Sequence, residues 1–307
     1  MNNAIYWESI LKPYDLYDKI DIKYKNDITW DNISKYQYLS ENFMEKYANK
    51  INWKYISKYQ ILSEQFIEKY KHKVDCYNIS YYQKLSEQFI EKYKDEAYWN
   101  CISGKQKLSE NFIEKHINKI NWSNISECQK LSENFIEKYI NNIDWKQISM
   151  HQKLSEQFIE KHIDRIDWDC ISRCQKLSEQ FIEKYEIKLD MLYISRYQYL
   201  TENFMIKHKK IIKWNCISKY QKLSEKFIEK YKNELYWEHI LQYQKLSENF
   251  IKKHKDKIIR YKKNILDNHQ IKITKNICTI LHINYQISFM LQNINKYKDI
   301  YALFNAR

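Results

Sequence analysis

A 23-residue period runs through most of this chain and leaves it very few folds to choose from. Beginning at Trp30, the marks fall on Trp30, Trp53, Cys76, Trp99, Trp122, Trp145, Trp168, Met191, Trp214 and Trp237, so that ten units fill residues 30–259. With positions counted from that mark, position 4 is Ile in all ten (Ile33 through Ile240), position 8 is Gln (Gln37 through Gln244) and position 14 is Phe (Phe43 through Phe250). Position 10 is always Leu, position 12 always Glu and position 17 always Lys. A unit this short cannot enclose a core of its own and must bury its apolar face against the copies before and after it.

Each unit reads as two short helices. In the first, positions 1, 4, 5 and 8 (Trp, Ile, Ser, Gln) fall within an arc of about 100° at helical pitch, a core-facing stripe. In the second, positions 14, 15, 18 and 22 do the same. Ser at position 11 is placed to cap the second helix, with Leu at 10 and Ile at 15 spaced as a hydrophobic staple. The Asp or Asn usual at position 23 caps the first helix of the next unit. Glu at 12 lies in a first turn and Lys at 17 in a last turn, as the helix dipole favours. Isolated helices below about 12 residues are marginal in water, so stacking has to supply the stability.

One Gly and one Pro in 307 residues remove the residues that tight β-turns and phosphate-cradling loops require. The expected fold is therefore all-α, an α-solenoid (superhelix) of 23-residue two-helix repeats with terminal caps. Residues 1–29 read as an N-terminal cap, a degenerate unit that keeps Trp7-Glu8-Ser9-Ile10 in register and then breaks at Pro13. Residues 260–307 lose the repeat and read as a basic C-terminal capping segment, in which Ile287, Met290, Leu291, Ile294, Tyr301 and Phe304 keep helical spacing. The stretch "HQIKITKNIC" receives no assignment.

No apolar run approaches the roughly 18 residues of a membrane span, and the first residues lack a signal-peptide pattern, so a soluble, non-secreted protein is expected. The seven cysteines are an odd number without a CxxC pair, which argues against a disulfide framework and a zinc ribbon and for a reducing compartment. The formal charge of +13 raises a nucleic-acid reading, although a chain crowded with Lys, Asn, Ile and Tyr, all encoded by A/T-rich codons, owes part of that charge to base composition.

The unit W-x-x-I-S-x-x-Q-x-L-S-E-x-F-I-E-K-[YH], seen in strings such as "IDWKQISMHQKLSEQFIEKHIDRIDW" at 143–168, resembles the tandem short-repeat proteins of giant, mimivirus-like, amoeba-infecting DNA viruses. The resemblance covers residues 30–259. It implies a viral protein made in host cytoplasm and carries no activity, cofactor or catalytic residue with it. Cys76, Met191 and Leu241 depart from the unit.

The repeated polar residues point to structure. A buried Gln must find hydrogen-bond partners, and a neighbouring repeat offers its backbone and side chains, so position 8 is expected to form a ladder. Ser at 5 has no recurrent His beside it to act as a base. His116, His162, His208 and His254 alternate with Tyr at position 18, about 20 Å apart at ordinary helix spacing and far beyond shared metal coordination. Trp at 1 and Phe at 14 lie on apolar stripes, which favours core packing over base stacking. The Glu pair at 12 and 16 reads as a solvated helix face. No cofactor is implied, and no enzyme, for want of a non-repeating acid, base and nucleophile.

One patch stands apart. "KKHKDKIIRYKK", 252–263, sets Lys252, Lys253, Lys255, Lys257, Arg260, Lys262 and Lys263 against Asp256 alone. It is the candidate site for an anionic partner, nucleic acid or an acidic protein surface. The expected function is a non-enzymatic scaffold for protein–protein interaction, its variable positions (2, 3, 6, 9, 13 and 19–21) facing a viral or host protein; nucleic-acid binding through the basic end and a Lys ladder is the alternative. Membrane partners are not expected, and a homo-oligomer stays open.

Overall fold

The computed structural model describes residues 29–261 together with Asn268 and Ile277. Every regular element among them is helical, in the order the period demands. First helices run from Trp30–Tyr36 to Trp237–Tyr243 and second helices from Glu41–Lys46 to Glu248–Lys253, ten of each in alternation. A further turn, Lys255–Ile258, and a 3-10 helix, Ile259–Tyr261, follow the last repeat. The fold is an α-solenoid of helical repeats. The chain divides into two compact units, Met1–Gln152 and Lys153–Arg307. In each unit, every first helix packs on the first helix of the next repeat. The proposed terminal helix over Ile287–Phe304 and most of the segments 1–29 and 260–307 lie outside the described residues.

Caps set the helix boundaries. Position 11 caps every second helix: Ser40 Oγ accepts from Phe43 N–H, and Ser109 Oγ from Phe112 N–H. Asn52, Asp75, Asn121, Asp144, Asp167 and Asp190 cap the first helices that follow them, whereas Tyr98, Lys213 and Tyr236 stand at that place without a side-chain bond. The second helix is shorter than its apolar stripe. It ends at position 17, and position 18 turns the backbone (Tyr47, φ −110°, ψ 23°). The carbonyl of Tyr47 then accepts from Lys50 and Ile51 N–H, which closes one more turn and returns Ile51 to the core.

The core is a column of Ile at 4, Leu at 10, Phe at 14 and Ile or Met at 15, with Ile56, Ile102, Ile125 and Ile148 fully buried. Trp at position 1 covers it from the side. Trp53 stacks on Phe66 with ring centroids 6.0 Å apart and on Tyr70 at 4.9 Å, and Phe66 meets Tyr70 at 4.8 Å. Each such aromatic pair adds about 0.5–1.5 kcal/mol beyond the area it buries. The same triad, with His in the third place, forms from Trp99, Phe112 and His116.

Candidate interaction surface

Short helices leave unpaired carbonyls at their C-termini and unpaired amides at their N-termini, and each repeat satisfies those of its neighbour. Gln83 Nε2 donates to the carbonyls of Ser57 (2.9 Å) and Gln60 (2.7 Å) in the preceding first helix, and Gln83 Oε1 accepts from Leu62 N–H (3.1 Å). Gln106, Gln129 and Gln152 repeat this in the first unit, and Gln198, Gln221 and Gln244 in the second. Asn268 extends the series past the last repeat, donating to the carbonyls of Leu241 and Gln244, both at 2.9 Å. Ser at position 5 is buried for a related reason: Ser57 Oγ donates to the Trp53 carbonyl and accepts from Asp75 N–H, tying the cap of the next first helix to its own.

The Glu residues at position 12, expected on a solvated helix face, also bond the next repeat. Glu110 Oε1 accepts from Ser132 N–H (2.5 Å) and Oε2 from Ser132 Oγ (3.1 Å), so the carboxylate closes a capping box across two repeats. Glu at 16 pairs with Lys at 17 of the following repeat, as in Lys138–Glu114 and Lys184–Glu160. Where position 18 is His, the same Glu takes the imidazole too, His116 Nε2 lying 2.7 Å from Glu91 and His254 Nε2 2.6 Å from Glu229. Among the described residues no group of three or more His, Cys, Asp or Glu converges to hold a metal ion, and no helix is long and apolar enough to cross a membrane.

With the repeated polar groups turned inward, the outward chemistry lies elsewhere. Of the candidate basic patch, Lys252, Lys253, Lys255, Lys257 and Arg260 are exposed at the end of the last repeat and on the two turns that follow; Lys262 and Lys263 lie outside the described residues. Two of these cations already have partners, Lys253 with Glu229 at 3.3 Å and Lys257 over the Trp237 ring at 5.0 Å.

A second surface lies at position 7, outside the variable positions that the sequence marks as outward-facing. Its tyrosines interleave with cations at position 6. In the first unit Lys35 lies over Tyr36 (4.7 Å) and Tyr59 (5.9 Å), and Lys58 over Tyr59 (5.0 Å) and Tyr82 (5.2 Å). In the second unit Arg196 lies over Tyr197 and Tyr220, and Lys219 over Tyr220 and Tyr243. Tyr59 first and Tyr82 second hold the Lys58 ammonium above the ordinary lysine pKa. Tyr36 is 68% exposed, and Tyr38 and Ile61 at position 9 are 73% and 78% exposed, so among the described residues this face offers uncovered aromatic and apolar area. The signal was present: Tyr holds position 7 in six of ten repeats, off the apolar stripe. No protein-family model, curated protein or solved structure matches the chain.

Proposed function

We propose that this protein is a non-enzymatic scaffold that binds a protein partner through the tyrosine–cation face at positions 6, 7 and 9. The observation that carries the reading is the alternation of exposed tyrosines with lysine or arginine at 36, 58, 59 and 82 and again at 196, 197 and 220. Tyrosine and arginine are the residues that protein interfaces concentrate, because they add contact area at small entropic cost and keep a polar tip for hydrogen bonding. The resemblance to giant-virus repeat proteins supports a working place in host cytoplasm. The free thiols of Cys128 and Cys174, both exposed, suit a reducing compartment. Cross-linking capture from infected cells tests the reading. A partner held by the wild type and lost from a Tyr36→Ser/Tyr59→Ser/Tyr82→Ser variant of unchanged circular dichroism is expected; equal capture by both removes this face from the interaction.

Nucleic-acid binding is the second reading, favoured by the same tyrosines between cations and by the exposed Lys252, Lys255 and Arg260. A mobility shift with single- and double-stranded probes tests it, with affinity falling steeply as salt rises. Absence of any shift at low salt ends it.

A further inference from the structure

Two repeats lack the tryptophan of position 1, and the fold treats them differently. Met191 fills its place: it is buried, and Leu200 and Phe204 beneath it are 2% and 3% exposed, as in a complete repeat. Cys76 does not. In its repeat Leu85 and Phe89 are only partly buried, while the Leu at 10 and the Phe at 14 of the other nine repeats are all buried. A second truncation deepens the gap, since Ala97 stands at position 22 where most repeats have Ile or Leu. The result is a shallow apolar cleft, open to solvent on one side, between Val74, Cys76, Leu85, Phe89 and Ala97. Tyr93 lines it as well, its ring 4.8 Å from that of Phe89, so two members of the aromatic triad remain without the third.

We propose that this cleft is a binding site for a small neutral aromatic of the indole class. The register of the repeat specifies the ligand. The indoles of Trp53, Trp99, Trp145, Trp168, Trp214 and Trp237 occupy this place in their own repeats, each donating Nε1–H to the carbonyl five residues earlier. The equivalent acceptor for the site beside Cys76 is the carbonyl of Lys71, whose residue lines the cleft. A bound indole therefore meets Phe89 and Tyr93 with its ring and the Lys71 carbonyl with its N–H. The cleft is open on one side, so a bicyclic ring seated there keeps its outer edge in water, as the half-buried ring of Trp53 does in its own repeat. Charge at the rim selects against anions. Glu96 holds position 21, where Lys50, Lys73, Lys119, Lys188 and Lys257 lie over the tryptophans of their own repeats. Burial first, then Glu96 and Asp75, pushes the Cys76 thiol pKa up, so the sulfur lines the site as a neutral, apolar group.

The test is calorimetric titration of the full chain with indole and, separately, with N-acetyltryptophanamide, beside Cys76→Ala and Cys76→Trp. Saturable binding of indole to the wild type and to Cys76→Ala is expected, with a loss of roughly tenfold or more in Cys76→Trp, where the protein's own ring fills the site. Binding of indole alone assigns the site to a free heterocycle; binding of both probes extends it to a tryptophan side chain of a partner. Maleimide labelling read by peptide mapping places the ligand without relying on the variants: bound indole slows alkylation of Cys76 and leaves Cys128 and Cys174 unchanged. No saturable binding of either probe, equal binding to a folded Cys76→Trp, or unprotected Cys76 at saturating indole overturns the proposal.

Discussion

Gln129 Nε2 donates to the main-chain carbonyl of Gln106 at 2.8 Å, and the same amide also donates to the Ser103 carbonyl while its oxygen accepts from Leu108 N–H at 3.0 Å. One side chain thus serves three backbone groups at and just beyond the C-terminal end of the preceding first helix, all away from water. That explains why Gln recurs unchanged at position 8: no other side chain of this length offers two donors and an acceptor.

Gln129→Ala should therefore be costly. It strands three buried polar groups, each worth about 1–3 kcal/mol when left unsatisfied, less whatever water reaches them. A loss of roughly 3 kcal/mol in urea denaturation is expected. Gln129→Glu, of the same shape, should be at least as damaging near neutral pH, because a carboxylate cannot donate to the carbonyls of Ser103 and Gln106.

Glu91 predicts an acid-sensitive contribution. Lys115 first and Lys94 second draw its carboxyl down from 4.5 to about 2, with partial desolvation opposing and His116 assisting. A depressed carboxyl stabilises the fold fully above its unfolded pKa and ceases to do so as pH falls through its folded one. The gap in urea midpoint between wild type and Glu91→Gln should hold above pH 4.5 and close between 4.5 and 2. High salt should shrink it, since the pair is solvent-accessible.

Gly104 lies inside the helix Trp99–Lys105, at position 6, with no structural need for glycine. A Cβ built there meets Asn124 at 3.4–3.5 Å, ordinary contact distance. Gly104→Ala should raise stability by about 0.5–1 kcal/mol through helix propensity and a less disordered unfolded chain, measured by denaturant midpoint.

Cys76→Trp should stabilise by about 1–3 kcal/mol, restoring apolar burial over Phe89 and Leu85. Met191→Trp is the comparison and should change stability by less, because that site is already filled. Differential scanning calorimetry of the two variants checks the contrast.

Much of this architecture was legible residue by residue. The caps at Ser40, Ser109, Asp75 and Asp144, the buried Ile and Phe columns and the structural role of Gln at position 8 all follow from spacing and from local chemistry. Other features were not. The target of Glu110 is Ser132, 22 residues on, and composition places Glu in a first turn without saying whose amide it caps. The stop at Tyr47 was hidden because the apolar stripe continues to Ile51 across a change of backbone direction. Cys76 and Met191 look alike as losses of Trp, yet only one opens a cleft, since that depends on whether the neighbours close in.

By itself the sequence determined the period, through recurrence, and the helical state and the start of nearly every helix, because these last two depend on residues within one turn of each other. Tertiary structure alone decided which carbonyl each glutamine reaches, which carboxylate closes the next cap and which tyrosines stay in solvent. Those outcomes rest on the offset between stacked repeats, which brings together groups 18 to 26 residues apart, a separation over which no local pattern carries information.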